Sequence, residues 1–212
     1  MSFDKTILIL IGIIVIIYLT TKKNDKFSIE NTTEIISQVD GMKYRIHKQH
    51  TSHQLAADTL ATINERIIDT LRMLRRKYAN KQNQAVELLL SRYNPDNLIE
   101  NSPHDPDGDT AYSLDKGQTI ALCLREVDSN DIHDMDILMF VALHEMAHVA
   151  VNVLDHPLEF WSTFKFLLEE AELANIYISS NYELNPQYYC GLKVNYNPRY
   201  DDTIPSIHFH NN

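Results

Sequence analysis

The chain is 212 residues long, a length typical of one domain of ordinary size with a short extension. Its formal net charge of -10 argues against a dedicated nucleic-acid-binding function, because affinity for phosphates needs a basic surface. With 2 Cys, 5 Gly and 7 Pro, a disulfide-rich scaffold, a cysteine-rich zinc finger and low-complexity sequence are excluded. The unusual count is His, at 10, which raises the question of a metal site.

The chain begins with an apolar stretch, ILILIGIIVIIYL at residues 7–19, that carries no charge. A helix over residues 3–21 would be about 28 Å long, close to the ~30 Å hydrocarbon core of a bilayer. A cleaved signal peptide and a buried core helix are the alternatives, but no small-residue cleavage site follows the stretch. Residues 1–26 are therefore predicted to be a single-pass membrane anchor with a basic flank, and its lysines favour a main domain on the cytoplasmic side.

The next segments predict a linker and two helices. Residues 27–48 are polar and mixed in charge, which is typical of a linker, with a short strand near its end at residues 43–46. Apolar residues then recur every three or four positions over residues 52–78, the pattern of a long helix with one buried face. A short helix is predicted at residues 84–93. We expect the folded domain to cover residues 49–212.

A β-hairpin is predicted in the middle of the chain. Residues 110–114 and 118–125 alternate or are continuously apolar, and Asp115-Lys116-Gly117 between them is a turn sequence. The second arm contains Cys123, and the other cysteine is Cys190. Since the domain is expected on the cytoplasmic side, where disulfides are rare, two free buried thiols are predicted.

A metal-binding pattern lies inside an apolar stretch at residues 137–154, whose length predicts a buried helix. His144-Glu145-Met146-Ala147-His148 is an H-E-x-x-H sequence. Positions i and i+4 share a helix face, so both imidazoles can bind one Zn²⁺, and Glu145 is placed to act as a base on water. Two hydrogen-bonded core histidines are the alternative, but burying these groups in an apolar helix without a function is costly.

A zinc site needs a third protein ligand, and His156 is the favoured candidate. It follows His148 by eight residues, in the helix-breaking sequence Asp155-His156-Pro157, so the chain can turn there and bring His156 back to the metal. A new helix is predicted from Pro157 to residue 175. Glu169 and Glu170 on that helix remain alternative third ligands.

Residues 110–190 resemble the WLM-type zinc metallopeptidases, which are related to the SprT-like proteases, and especially the members found in large DNA viruses. The segments that carry the resemblance are QTIALCLRE, DILMFVALHEMAHV, DHPLEFW, FKFLLEEAELANIY and NPQYYCG. The resemblance implies an α+β, zincin-like metallopeptidase domain behind an N-terminal transmembrane helix. All six methionines lie at or before Met146, so the Met-turn of metzincins has no counterpart here.

The same resemblance implies roles for individual residues. His144, His148 and His156 correspond to the zinc ligands, and Glu145 corresponds to the general base. It also implies an edge strand, expected at residues 118–125, along which an extended peptide lies by strand addition. An oxyanion donor is expected as well, and the candidates are Tyr188, Tyr189, Tyr196 and Tyr200, although aromatic packing is the alternative for each.

The predicted function is that of a membrane-anchored zinc endopeptidase that hydrolyses peptide bonds through a zinc-activated water. Its expected partners are a peptide or protein substrate and a lipid bilayer, bound through residues 3–21, in a virion or a host membrane. The alternative is a zincin-fold structural or interaction protein tethered to a viral membrane without proteolytic activity. Glu145 favours the enzyme, because a purely structural zinc site needs no base.

Overall fold

The structure is a computed structural model that describes residues 31–102, 104 and 110–207, and the expected anchor at residues 3–21 lies outside these ranges. Within them the chain forms a mixed α+β fold with a five-stranded sheet, a two-stranded sheet and four α-helices. No helix in these ranges is both long enough and apolar enough to cross a membrane.

The four helices, the central hairpin and the strand near residue 43 follow the predicted order, whereas the strands at residues 32–36, 98–101, 187–189 and 192–194 were not predicted. In chain order they are β1 (Thr32–Ile36), β2 (Lys43–His47), α1 (His53–Tyr78), α2 (Gln84–Arg92), β3 (Leu98–Asn101), β4 (Ala111–Leu114), β5 (Thr119–Cys123), α3 (Met135–Ala150), α4 (Leu158–Leu173), β6 (Gln187–Tyr189) and β7 (Leu192–Val194). The expected linker at residues 27–48 contains β1 and β2, which belong to the main sheet. The folded unit therefore begins before residue 49.

The main sheet has the strand order β1-β2-β3-β5-β4. The outer pairs β1/β2 and β4/β5 are antiparallel hairpins, whereas β2/β3 and β3/β5 are parallel. The prediction that residues 118–125 form the edge strand is wrong, because β3 pairs with β5 on the side opposite to β4. The tight turn at residues 115–117 folds β4 back along β5 and makes β4 the edge strand of the described sheet.

Helix α3 lies at the centre of the domain. It packs against α1, α2, α4 and strands β4 and β5, and nearly all of its side chains are buried. A helix that is apolar on every side needs this central position, since any exposed face would leave apolar surface in water. Beyond its first two residues, the half-buried exceptions are His144 and His148, the two histidines of the H-E-x-x-H sequence.

A buried ion pair fixes the parallel part of the sheet. Arg125 donates from Nε to Oε1 of Glu100 at 2.7 Å, and both side chains are almost fully buried. The second carboxylate oxygen of Glu100 accepts the backbone N–H of His47 at 2.9 Å. These contacts join the end of β2, the middle of β3 and the segment after β5.

Cys123 and Cys190 form a disulfide, so the prediction of two free thiols is wrong. Their Cα atoms are 6.4 Å apart because the chain returns after α4 and lays the β6–β7 hairpin beside the end of β5. His133 helps to hold this return, since its Nε2 accepts the backbone N–H of Cys190 at 3.1 Å. The disulfide therefore attaches the small hairpin to the main sheet.

We expect reduction of this disulfide to lower the free energy of unfolding by about 4 kcal/mol, because the bond closes a loop with a sequence separation of 67. Denaturant unfolding with and without a dithiol reductant measures the difference. The Cys123→Ala/Cys190→Ala double variant is the control, and its unfolding should not respond to the reductant. Equal unfolding midpoints for the oxidised and reduced wild-type chain would contradict the assignment.

Candidate metal centre

Three histidines converge beside the C-terminal half of α3. Nitrogen atoms of His144, His148 and His156 all lie within 4.8 Å of one another. Among the described residues, no other set of three or more histidine, cysteine, aspartate or glutamate side chains is placed to hold one metal ion. The Nε2 atoms of His144 and His156 are 3.1 Å apart. His144 and His148 lie one turn apart on α3, as their i, i+4 spacing requires. The geometry thus brings together the three residues predicted as ligands.

Phe160 forms the floor under the three imidazoles. Its ring centroid lies 4.8 Å from that of His144, 4.3 Å from that of His148 and 4.5 Å from that of His156. It is completely buried in the first turns of α4. A ring packed against all three imidazoles restricts their rotation, so the nitrogen atoms are held in position before any ligand binds.

Arg92, at the end of α2, fixes the end of α3 and the start of the turn to His156. Its Nη1 donates to the carbonyls of Val149 and Val151 at 2.9 and 3.1 Å, and its Nη2 donates to Oδ1 of Asn152 at 2.6 Å. The last carbonyls of a helix have no partner within the helix, and a cation at that end also meets the negative pole of its dipole. The helix consequently ends at residue 150 instead of the predicted residue 154.

The turn between β4 and β5 supports the same loop from the other side. Lys116 donates from Nζ to the carbonyl of Val153. Gly117 has a φ of +103°, and a Cβ atom there would lie 3.2 Å from the Val149 side chain. The glycine therefore permits both the turn and its close approach to α3.

Burial favours the neutral form of all three imidazoles. Burial, with His148 and His156 nearby, lowers the pKa of His144 to about 3. Burial also lowers the pKa of His148 to about 4, and His156 and Lys116 add to this effect. The pKa of His156 is lowered by burial as well, although Asp155 opposes the shift. Neutral imidazole is the form that binds a metal.

The alternative third ligands have other partners. Glu170 is fully buried, and it accepts hydrogen bonds from Lys77 Nζ at 2.7 Å and from the Tyr78 hydroxyl at 3.0 Å. Glu169 lies 3.9 Å from the guanidinium of Arg199. Neither carboxylate belongs to the histidine group. The structure thus favours His156 over both glutamates.

Glu145 lies between two cavities that open on either side of the histidines. It is buried, and together with Ala111 and His144 it lines both of them. Ala111 belongs to the edge strand β4, so the two cavities form one cleft that runs past this strand and the histidines. A peptide in the cleft would pass directly over Glu145.

The four candidate tyrosines are separated by the structure. Tyr189 is buried and Tyr196 is partly exposed, and both line the cavity shared with Glu145. Tyr196 donates its hydroxyl to Asp201 at 2.8 Å, and burial together with this carboxylate raises its pKa to about 12. Tyr188 lines a different cavity, and Tyr200 donates to the carbonyl of Ser179. Tyr188 and Tyr200 are therefore outside the cleft.

Some positioning residues were not predicted from the sequence. Phe160 was expected as one of several buried residues of α4, and nothing in the periodicity distinguishes a ring that faces three imidazoles from one that faces the core. Arg92 and Lys116 are separated from their partners by 57 and 37 residues. Sequence spacing carries no signal for such contacts.

Comparisons with known proteins identify viral relatives. The chain is 34% identical to the uncharacterised protein R325 of Acanthamoeba polyphaga mimivirus over 192 residues, which are 89% of this chain and 93% of that protein. It is 29% identical to the uncharacterised protein 136R of Invertebrate iridescent virus 6 over 169 residues, or 76% of this chain and 83% of that protein. No family model matches the sequence.

Among solved structures, Wss1 from Saccharomyces cerevisiae is similar with a TM-score of 0.44 and 18% identity, over 61% of this chain and 87% of that one. A likeness of this size does not establish a shared fold or activity. The identity to R325 extends over nearly the whole of both proteins. The chain therefore belongs to the family of viral proteins that includes R325 of Acanthamoeba polyphaga mimivirus.

Proposed function

We propose that this protein is a zinc-dependent endopeptidase, with His144, His148 and His156 as the metal ligands and Glu145 as the general base. The observation that carries the proposal is the convergence of three neutral imidazoles next to a buried glutamate in an open cleft. The WLM-type resemblance of the sequence agrees with it.

The donor set suits a catalytic zinc ion. Three neutral nitrogen ligands that leave a fourth position for water or substrate are a common catalytic arrangement, whereas structural zinc sites use four protein ligands. His156 is exposed at the mouth of the cleft, so the centre is accessible to substrate. When bound there, Zn²⁺ would polarise a carbonyl group and lower the pKa of water to about 7.

The proposed work of Glu145 is proton transfer. Its neighbour in sequence is the ligand His144, and its position in both cavities places it beside the path of the substrate. Glu145 takes a proton from the attacking water and passes it to the leaving amine, which keeps the nitrogen from leaving as an anion. A carboxylate at this position has no purpose in a centre that only stabilises the fold.

The proposed substrate path follows β4. An edge strand offers backbone N–H and C=O groups to an extended peptide, which can lie alongside it as an additional strand. Ala111 of β4 borders the cavities on both sides of the histidines, so a peptide paired with β4 would present one carbonyl to the metal centre. This arrangement favours an unfolded or extended segment as the substrate.

Membrane attachment is proposed from the sequence alone. Residues 3–21 have the length and apolar character of a bilayer span. The lysines that follow favour a cytoplasmic location for the catalytic domain, whereas the Cys123–Cys190 disulfide favours an oxidising compartment. The proposed setting is a virion or host membrane. An assay of the full-length chain in detergent or lipid keeps this segment in place.

The full-length chain should bind one equivalent of zinc. We expect His156→Ala to weaken zinc binding by more than about 100-fold, because the loss of a ligand costs more than the loss of a supporting contact. The matched control Glu169→Gln removes an alternative ligand and should leave zinc binding unchanged. Elemental analysis and competition with a chelator measure both. Reduced zinc binding in the Glu169 variant, with normal binding in the His156 variant, would reverse the assignment.

Glu145→Gln should retain zinc and lose about 10²- to 10⁴-fold in peptide hydrolysis, the range attributed to a positioned general base. Cleavage of a mixed peptide library by the two full-length proteins, followed by mass spectrometry, provides the measurement. If neither the zinc-loaded wild type nor the variant cleaves any peptide, the protein is the non-proteolytic structural or interaction protein of the alternative prediction. Equal cleavage by both would remove Glu145 from the mechanism.

If the Tyr196 hydroxyl exchanges its hydrogen bond to Asp201 for one to the oxyanion of the bound substrate, Tyr196→Phe should lower kcat by about 10²-fold without changing zinc content. The control is Tyr200→Phe, since the Tyr200 hydroxyl bonds to Ser179 outside the cleft. Steady-state kinetics on one cleaved peptide separate an effect on kcat from one on KM. An unchanged kcat in the Tyr196 variant would leave this tyrosine a packing role against Trp161.

A further inference from the structure

We propose that the cavity on the α4 side of the metal centre receives a large apolar side chain, and that this selects substrates with an aromatic or large aliphatic residue next to the scissile bond. The inference deepens the proposed peptidase function and rests on it. It adds a substrate class and names the residues that recognise the substrate side chain.

Most of the wall of this cavity is apolar, although Thr110, Lys193 and Asn195 also line it. Its volume is about 270 Å³, slightly below the range of about 300–1,000 Å³ for sites that hold whole drug-sized ligands. That size suits one side chain better than a longer piece of substrate. The apolar walls come from α3, α4 and the β6–β7 hairpin, through Phe140, Val141, Trp161, Phe164, Leu192 and Val194.

The cavity on the opposite side of the histidines is larger and more polar. Its volume is about 560 Å³, and its lining includes Ser113, Asp115, Lys116 and Asp155. An apolar side chain placed there would lie beside these charged groups. The two sides of the centre therefore differ in what they can recognise, and the α4 side suits a large apolar group better.

The apolar cavity is held in shape before substrate arrives. The disulfide between Cys123 and Cys190 attaches the β6–β7 hairpin, which carries Leu192 and Val194, to the main sheet. The ring of Tyr196 meets Trp161 edge-on, with centroids 5.3 Å apart. Walls that are already ordered lose little freedom on binding, so the gain from burying a substrate side chain is retained as affinity.

Trp161 allows occupancy of the cavity to be measured directly. It is the single tryptophan of the chain, and it belongs to the cavity wall. The zinc-loaded, full-length Glu145→Gln protein would be titrated with three tryptophan-free octapeptides that differ only in a central Phe, Ala or Asp. We expect the Phe peptide to change the Trp161 emission and to bind about 10- to 100-fold more tightly than the Ala peptide.

A variant that fills the cavity localises the effect. Val194→Phe keeps a residue that is favourable in a strand and places a ring in the cavity, so the preference for Phe over Ala should fall at least tenfold. Ile178→Phe is the matched control, because Ile178 is exposed and lies outside the cavity. An unchanged preference in the Val194 variant would overturn the proposal.

Cleavage by the wild-type chain separates the two proposals. Hydrolysis of the Phe, Ala and Asp peptides at similar rates would overturn the selectivity and leave the peptidase function intact. A Phe preference in the binding experiment, without any hydrolysis by wild type, would support the cavity and overturn the peptidase function. If the Trp161 emission changes with protein concentration and not with peptide concentration, a second copy of the chain occupies the cavity, and the proposal is overturned.

Discussion

The 3.1 Å contact between the Nε2 atoms of His144 and His156 requires that the two imidazoles are not both protonated, and the rest of the site is arranged to keep them neutral and close. Burial lowers the pKa of His144, while the floor of Phe160 fixes the ring planes. Arg92 satisfies the carbonyls at the end of α3 and so determines where the chain turns toward His156. A divalent cation among these nitrogens would relieve their mutual repulsion.

The same elements that build the candidate metal centre also build its surroundings. Helix α3 supplies two histidines and Glu145 to the centre, and Phe140 and Val141 to the apolar cavity. The turn between β4 and β5 supports the His156 loop and places charged groups on the opposite side. Hence the cleft is chemically different on its two sides, and the difference follows from which loops and helices meet there.

Local patterns in the sequence were sufficient for much of the fold. The helices are predicted by periodicity, the β4–β5 hairpin by its turn sequence, and His156 by a helix break at a suitable distance from His148. The position of β3 between β2 and β5 is a long-range pairing, and no pattern within the strands specifies it. As a result, the edge strand was assigned to residues 118–125 instead of β4.

Contacts between distant residues account for the other differences. The sequence leaves Glu170 open as a metal ligand, but in the structure it accepts hydrogen bonds from Lys77 and Tyr78, which lie 93 and 92 residues earlier in the chain. The cysteines were expected to be free on the basis of a cellular compartment, whereas the return of the chain after α4 brings them together. Both outcomes depend on tertiary packing, which spacing along the chain does not encode.

The proposed function requires that three imidazoles of one chain hold a zinc ion with a position open for chemistry. X-ray absorption at the zinc edge of the full-length protein tests it most directly, because it reports the type, number and distance of the bound atoms. We expect three nitrogen atoms at roughly 2.0–2.1 Å together with a non-protein oxygen. Sulfur at roughly 2.3 Å, four protein nitrogens or the absence of bound zinc would contradict it.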